Sequence, residues 1–353
     1  MKNYEAWKIE PLDLSRNHTK EEIYRHLVGW AVLAANSHNS QPWRFVLRPD
    51  DNRILVVLDG QAVLPASDKV GRQAHISIGC ALQNLIMAIE AYGLSLQVIY
   101  RDISDGVVGE TVLAEVSLGD EQLKPLNSSW AMFSSMKNRR MYRGQYDPQR
   151  ALPIDVVSSF ESAAAAKTGA ELKLITDRPT IFAIAEIQYL ADRAVIALNN
   201  FRRELADYLL PNDTDSCTGM PGNTFGLSDE MSKNVHLGLS QPGTFDPALA
   251  AGMAITGRDG IRSAPMLGVI SVSDDKPEFW LKAGQAFQHI AVIAESNNLF
   301  LAVHAAMVEV GMFNVSLKAR LVQLKRPTVI FRVGYADERH PHSPRLMADA
   351  VIK

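Results

Sequence analysis

Gly79 to Val98 reads GCALQNLIMAIEAYGLSLQV, and Gly284 to Val303 reads GQAFQHIAVIAESNNLFLAV. At a constant offset of 205 residues, Gly79, Ala81, Gln83, Glu90, Leu94, Leu96 and Val98 coincide with Gly284, Ala286, Gln288, Glu295, Leu299, Leu301 and Val303. Leu85 and Ile290 correspond conservatively. Small residues recur where one helix face needs close approach, so two such helices can pack against each other about a pseudo-twofold axis. The matched Gln and Glu are not required by core packing, which argues against chance similarity of two amphipathic helices. A period this long implies a duplicated domain rather than a solenoid.

The rest of the chain agrees with a two-unit protein. At 353 residues it is long enough for about two domains of ordinary size, and at 47% hydrophobic residues it can build large cores. Dominant disorder is excluded by that apolar content and a net charge of only −3. Lys plus Arg (36) nearly balance Asp plus Glu (39), so a nucleic-acid partner is not expected. Cys80 and Cys217 lie far apart with no metal or CxxC spacing, which fits reduced thiols in a cytoplasmic protein. The N-terminus has no apolar leader, and the apolar runs break short of about 18 residues, so neither secretion nor a membrane is expected.

Moving outward from the repeat, residues 20–35 read as an amphipathic helix capped by Thr19, with Glu21 and Glu22 in its first turn. The loop NSHNSQPW (36–43) follows, and then RFVLR and RILVVLDG, a hairpin or strand pair. A long helix over 73–93 ends at Gly93 as C-cap. LQVIYRD and TVLAEVSL read as strands, 153–167 and 179–210 as helical. Residues 211–247 are rich in Gly, Pro, Asn, Ser and Asp and read as a lid, an excursion or a disordered segment. AGMAITGRDG (251–260) reads as a loop. APMLGVISV (264–272) is a buried strand, 278–298 a second long helix, and RPTVIFRVGY the final buried strand.

Two clusters carry chemistry. Asn36, Ser37, Asn39 and Gln41 place short amides and a hydroxyl at a density that can hydrogen-bond a flat heterocycle. The same residue types also make an ordinary capped turn. Arg139, Arg140 and Arg143 in NRRMYR match phosphate geometry, or form a solvated basic turn. Arg345 stands alone near the C-terminus. No GxSxG elbow, GxxxxGK[ST] loop, HExxH or strand-following GxGxxG is present. His340 and His342 have no partner set that would make them metal ligands.

Taken together these segments resemble the nitroreductase family of FMN-dependent oxidoreductases. AANSHNSQPWRFVL is similar to the family's APSxxNxQPW segment, with Ala35 in place of Pro and Asn36 in place of the first Ser. RRMYR at 139–143 is similar to its RRSxR phosphate-binding turn, with Met141 for Ser. GxAxQNLxxAxxxxGL at 79–94 is similar to its long central helix, and VGYADERHPHSPR to its closing strand and basic residue. In ordinary members the RRSxR turn precedes NxQPW. Here the order is reversed, and together with the 205-residue repeat this points to the double-length, Acg-type fused branch.

The resemblance implies an α+β nitroreductase fold in which two fused units form an internal pseudo-dimer of mainly antiparallel sheets flanked by helices. The units would be 1–130 and 131–353, the second with a lid-like insertion at about 211–247. It implies one FMN per chain in a monomer. Asn36, Ser37, Asn39 and Gln41 would reach the flavin ring, and Arg139, Arg140, Arg143 and Arg345 the phosphate and ribityl end. Arg143 would lie near the pyrimidine edge or the phosphate, and the backbone of Val303, His304 and Ala305 near flavin N5. The implied activity is ping-pong: NAD(P)H gives hydride to N5, and a nitro compound, quinone or similar small acceptor then takes the electrons. The cofactor performs the redox chemistry and no protein acid or base is required. The alternative is a non-catalytic FMN-binding or sequestering protein whose lid closes the flavin face.

Overall fold

A computed structural model describes residues 2–101, 110–124, 130–240 and 246–353. The first helix, α1 (Lys20–Ala31), starts where its chemistry dictates. Thr19 accepts from the Glu22 amide while the Glu22 carboxylate accepts from the Thr19 amide, a reciprocal capping box. After the 36–42 loop come β1 (Trp43–Arg48) and β2 (Arg53–Asp59), a hairpin in register from Trp43 opposite Leu58 to Arg48 opposite Arg53. Then follow α2 (Arg72–Ala91), β3 (Leu96–Tyr100) and β4 (Glu110–Leu118). These strands form one antiparallel sheet in the order β1-β2-β4-β3.

The chain continues through α3 (Trp130–Asn138), α4 (Ile154–Ala165) and β5 (Ala170–Ile175). Four helices then intervene: α5 (Arg178–Ile196), α6 (Asn199–Tyr208), α7 (Asp229–Ser240) and α8 (Pro247–Ser263). A two-residue parallel bridge, β6 (Leu209–Leu210) to β7 (Met220–Pro221), lies between α6 and α7. The chain closes with β8 (Met266–Val272), α9 (Pro277–Ser296), β9 (Phe300–Val303), α10 (Ala306–Glu309), α11 (Gly311–Arg320) and β10 (Arg326–Gly334). The second sheet is also antiparallel, in the order β5-β8-β10-β9. In both sheets the strands, numbered along the chain, run first, second, fourth, third, with a long helix between second and third.

The helices α2 and α9 cross at the centre of the molecule. A Cβ built on Gly79 would lie 2.9 Å from the Leu281 carbonyl carbon and closer still to its oxygen. One built on Gly284 would lie 2.8 Å from the Ile76 carbonyl carbon. The two contacts are reciprocal, because 76 and 281, like 79 and 284, differ by 205. The helix ends also correspond: Gly93 (φ 75°) and Asn298 (φ 55°) both adopt the left-handed conformation that terminates a helix. The α2 helix is long and apolar enough to cross a membrane, but 83% of the apolar window lies inside the protein, the burial of a core helix.

Several expectations need correction. AGMAITGRDG is not a loop but the body of α8, and its glycines serve contacts: Gly257 faces the Asp192 carboxylate and Gly260 the Arg332 guanidinium. The helical stretch 179–210 breaks at Ala197–Leu198 into two helices and gives way to β6 at Leu209. Residues 211–240 are not a bare loop, since they include β7, a 3-10 turn (Gly222–Phe225) and α7. Residues 241–245 of that stretch lie outside the described residues.

Candidate active site

Arg139 and Arg345 are about two hundred positions apart, and two edge pairings bring them together. The Tyr142 amide donates to the Leu301 carbonyl at 2.9 Å, which lays the segment after α3 along the free edge of the second sheet. The tail crosses to the first sheet, where Phe45 and Lys353 exchange backbone bonds with Val351 and Phe45 at 2.8 Å each. Between these anchors both arginines reach the end of α1. Arg139 Nη2 donates to the Leu33 carbonyl at 2.8 Å, and Arg345 Nη1 to the Ala34 carbonyl at 3.2 Å.

Both guanidiniums are buried, and among the described residues neither has a carboxylate within ion-pair distance. Burial pushes Arg139 down to about 10 and Arg345 well below its ordinary value, and the charge of Arg139 also disfavours that of Arg345. His342 stacks on Trp7 with ring centres 4.0 Å apart, and burial and then the charges of Arg140 and Arg139 hold it down to about 3. Arg139 Nε, Arg345 Nε and His342 Nε2 are buried without partners. Unpaired buried charge is costly, so such a cluster fits an anion that the chain itself does not supply.

The 36–41 turn is strained. His38, Asn39 and Gln41 have φ of 49°, 54° and 53°, in the left-handed region that non-glycine residues rarely occupy. Asn36 Oδ1 accepts from the Gln41 amide at 2.9 Å, and the Ser37 amide donates to Ser77 Oγ at 3.1 Å. Asn39 Nδ2 donates to the carbonyls of Gly219 (2.9 Å) and Pro344 (2.8 Å). Gln41 Nε2 donates to the Cys217 carbonyl at 2.7 Å and Oε1 accepts from the Leu346 amide at 2.9 Å. Asn39 and Gln41 thus tie together the tail and the 217–219 segment.

Arg143 points to the other end of the turn. Its guanidinium carbon lies 4.1 Å from the Phe225 ring centre and Nη2 lies 3.6 Å from Met220 Sδ. Burial, then the charge of Arg332, pushes Arg143 down to about 10. His38 is held down to about 4 by burial and by Arg143, and burial and the charges of Arg332 and Arg143 hold His304 well below its ordinary value. His38 Nδ1, Asn39 Oδ1 and His304 Nε2 are buried without partners.

The structure therefore gathers Asn36, Ser37, Asn39, Gln41, Arg139, Arg143, His304 and Arg345 around one turn. Arg140 faces elsewhere: it donates to the carbonyls of Asn138 and His340, both at 3.0 Å, and lines an open cleft of about 460 Å³ with Arg339 and Glu295. Val303 is 40% exposed at the end of β9, and Ala305, half-buried, opens α10. Sequence reasoning missed His38, Met220 and Phe225, and weighed His342 only as a metal ligand. His38 sits inside the quoted loop, and although His, like Asn, tolerates a left-handed backbone better than most residues, its residue type alone does not place it at the site.

No protein-family model matches the chain. It is 24% identical, over 97% of its length and 94% of the relative's, to a protein of Mycobacterium tuberculosis described as "Putative NAD(P)H nitroreductase Rv3131". It is 34% identical over 77 residues, 22% of this chain and 23% of the other, to one from the same organism described as "Putative NAD(P)H nitroreductase acg". Among solved structures, the FMN and NADPH-dependent nitroreductase NfnB from sphigopyxis sp. strain HMH is 18% identical, covering 63% of this chain and 97% of that one, with a TM-score of 0.41. Along nearly its whole length the chain is therefore similar to a protein described as a "Putative NAD(P)H nitroreductase".

Proposed function

We propose that this chain is an FMN-dependent NAD(P)H oxidoreductase acting on nitro compounds, quinones or similar small acceptors. The observation that carries the proposal is the pair of buried, acid-free arginines, Arg139 and Arg345, whose charge matches a phosphate. Arg139 and Arg345 would hold the FMN phosphate, with His342 beside it. Asn39, His38 and His304, each with an unpartnered buried atom, would meet the polar edge of the flavin, and Arg143 would place its charge there. FMN, when bound, supplies the hydride-accepting atom. The chain's part is to orient that ring, exclude water and stabilise negative charge at the ring edge.

Two fused units, 1–130 and 131–353, best account for the architecture. The support is the shared strand order, the reciprocal glycine contacts and two central helices whose bounds differ by 205 at both ends. One FMN per chain follows from the asymmetry between units. The link from α4 to β5 is four residues, 166–169, against eleven between α1 and β1, so the second unit has no counterpart of the 36–41 turn. The residue equivalent to Ser77, which holds that turn, is Lys282, and it pairs with Glu278 at 2.6 Å instead.

One observation favours a second reading. The 217–225 segment is bonded to Asn39 and Gln41 and packed on Arg143, as a lid closing the ring end would be. The protein would then hold FMN without turning over. Visible absorbance of the purified protein, followed by anaerobic NADPH or NADH, separates the readings. Yellow protein that bleaches supports the oxidoreductase, and yellow protein that stays oxidised supports the closed-lid holder. Colourless protein that ignores added FMN overturns both.

A further inference from the structure

Arg332 is a charged residue within the buried, apolar run Val329–Gly334 of a central strand. It lies on β10, opposite Ala302 of β9 and Leu267 of β8, and is only 2% exposed. Among the described residues no carboxylate lies within ion-pair distance of it. Its guanidinium is instead a fork for carbonyls: Nη1 donates to Gly144 at 2.7 Å and to Gly260 at 2.9 Å, and Nη2 to Tyr142 at 3.3 Å. Tyr142 and Gly144 are the residues on either side of Arg143. Gly260, in the last turn of α8, presents a helix C-terminal carbonyl, which favours a cation. The guanidinium carbon also sits 4.6 Å from the Tyr146 ring centre.

We infer that Arg332 is a positioning residue for the flavin ring end: by clamping the carbonyls that flank Arg143, it fixes the direction in which Arg143 presents its charge. The inference rests on the FMN reading above. A side chain as long as Arg143 has many rotamers, and among the described residues its only polar side-chain contact is a 3.6 Å approach to Met220 Sδ. With no strong side-chain hydrogen bond to hold it, its aim depends on the backbone from which it departs, together with the Phe225 ring it packs on. A planar fork holds two carbonyls in a fixed relative direction, which the rotatable donors of a lysine ammonium do not. Packing keeps the fork in place: a Cβ on Gly260 would lie 2.9 Å from the Arg332 guanidinium carbon.

The test is a double-mutant cycle on FMN held by the full chain, read as midpoint potential, with a urea midpoint for each variant. Arg143→Gln should weaken binding of reduced FMN about tenfold more than that of oxidised FMN, lowering a two-electron potential by about 30 mV. Arg332→Gln should give the same shift, as should Arg332→Lys, which keeps the charge without the fork. In the Arg143→Gln background, Arg332→Gln should add nothing. An unshifted potential in Arg332→Gln, or a shift of equal size in the Arg143→Gln background, overturns the inference. Should Arg332→Gln fail to fold, Gly260→Ala displaces the fork from the side and should lower the potential by the same amount. Absence of FMN from the wild-type chain would overturn the FMN reading itself, whereas bound FMN with an unmoved potential would overturn only the role of Arg332.

Discussion

Replacing Gly79 or Gly284 by Ala sets two physical effects against each other. Helix propensity favours Ala over Gly by about 1 kcal/mol in a helix interior. Packing opposes it, because the new methyl at 79 meets the Leu281 backbone and that at 284 meets the Ile76 backbone, neither of which can swing away. The helices must part, and the fully buried Ile78, Leu82, Leu281 and Ile290 beside the crossing lose contact. Overpacking of a close-packed core costs about 1–3 kcal/mol, and backbone collision places these sites toward the upper end. The expected net loss is about 2 kcal/mol for either variant, and less than twice that for the double, since one separation relieves both. Gly252→Ala is the control: it lies in α8 with nothing within 4 Å of the added Cβ, so it should gain up to about 1 kcal/mol. Urea unfolding followed by far-ultraviolet circular dichroism reads all four variants against wild type. Gly79→Ala moving the midpoint in the same direction as Gly252→Ala would refute the close reciprocal crossing.

Arg139→Gln with Arg345→Gln should weaken FMN at least about a hundredfold, at about 1.5–3 kcal/mol per charge-assisted bond, while leaving riboflavin binding unchanged. Titration with both flavins checks this, and equal losses would move the phosphate elsewhere. Asp192, half-buried, accepts from Gln188 Nε2 at 2.6 Å, and burial pushes its carboxyl up to about 7. The native state then keeps a proton that the unfolded chain releases, so stability falls as pH rises from about 4 to 7, by up to about 1.4 kcal/mol per pH unit. Glu309, also raised to about 7 by burial, adds a slope of the same sign, so Asp192→Asn should flatten the dependence without abolishing it. Urea midpoints at pH 5, 6, 7 and 8 measure this, and an unchanged slope would contradict it. Glu204 accepts from the Ala66 and Ser67 amides at 2.6 and 3.0 Å, tethering α6 to the segment that leads into α2. Glu204→Ala should therefore speed proteolysis at 211–225, and an unchanged cleavage rate would show the tether to be idle.

What the residues disclosed tracks how local the physics is. The capping box at Thr19, the hairpin from Trp43 to Asp59 and both central helices depend on neighbours within a few positions, and each forms as expected. The α8 helix was hidden because Gly252, Gly257 and Gly260 depress its intrinsic propensity, and the reasons for Gly257 and Gly260 lie on α5 and β10. α7 was hidden by its glycine- and asparagine-rich approach. At the site, the reading of NSQPW and RRMYR named residues that do converge, but it could not separate Arg139 from Arg140. Adjacent residues point to opposite sides of an extended segment, so one is buried beside Arg345 and the other lines an open cleft. Arg332 did leave a signal, a charge inside the apolar run VIFRVG, but its carbonyl partners come from segments about 70 and 190 residues away.

The central claim is one FMN held by a single chain at the Arg139–Arg345 cluster. Titration of flavin-free protein with FMN, with the mass of the complex followed by sedimentation, tests it most directly. The account predicts saturation at one FMN per 38.9 kDa chain on a monomer. Saturation at two, an obligate dimer, or no uptake would contradict it.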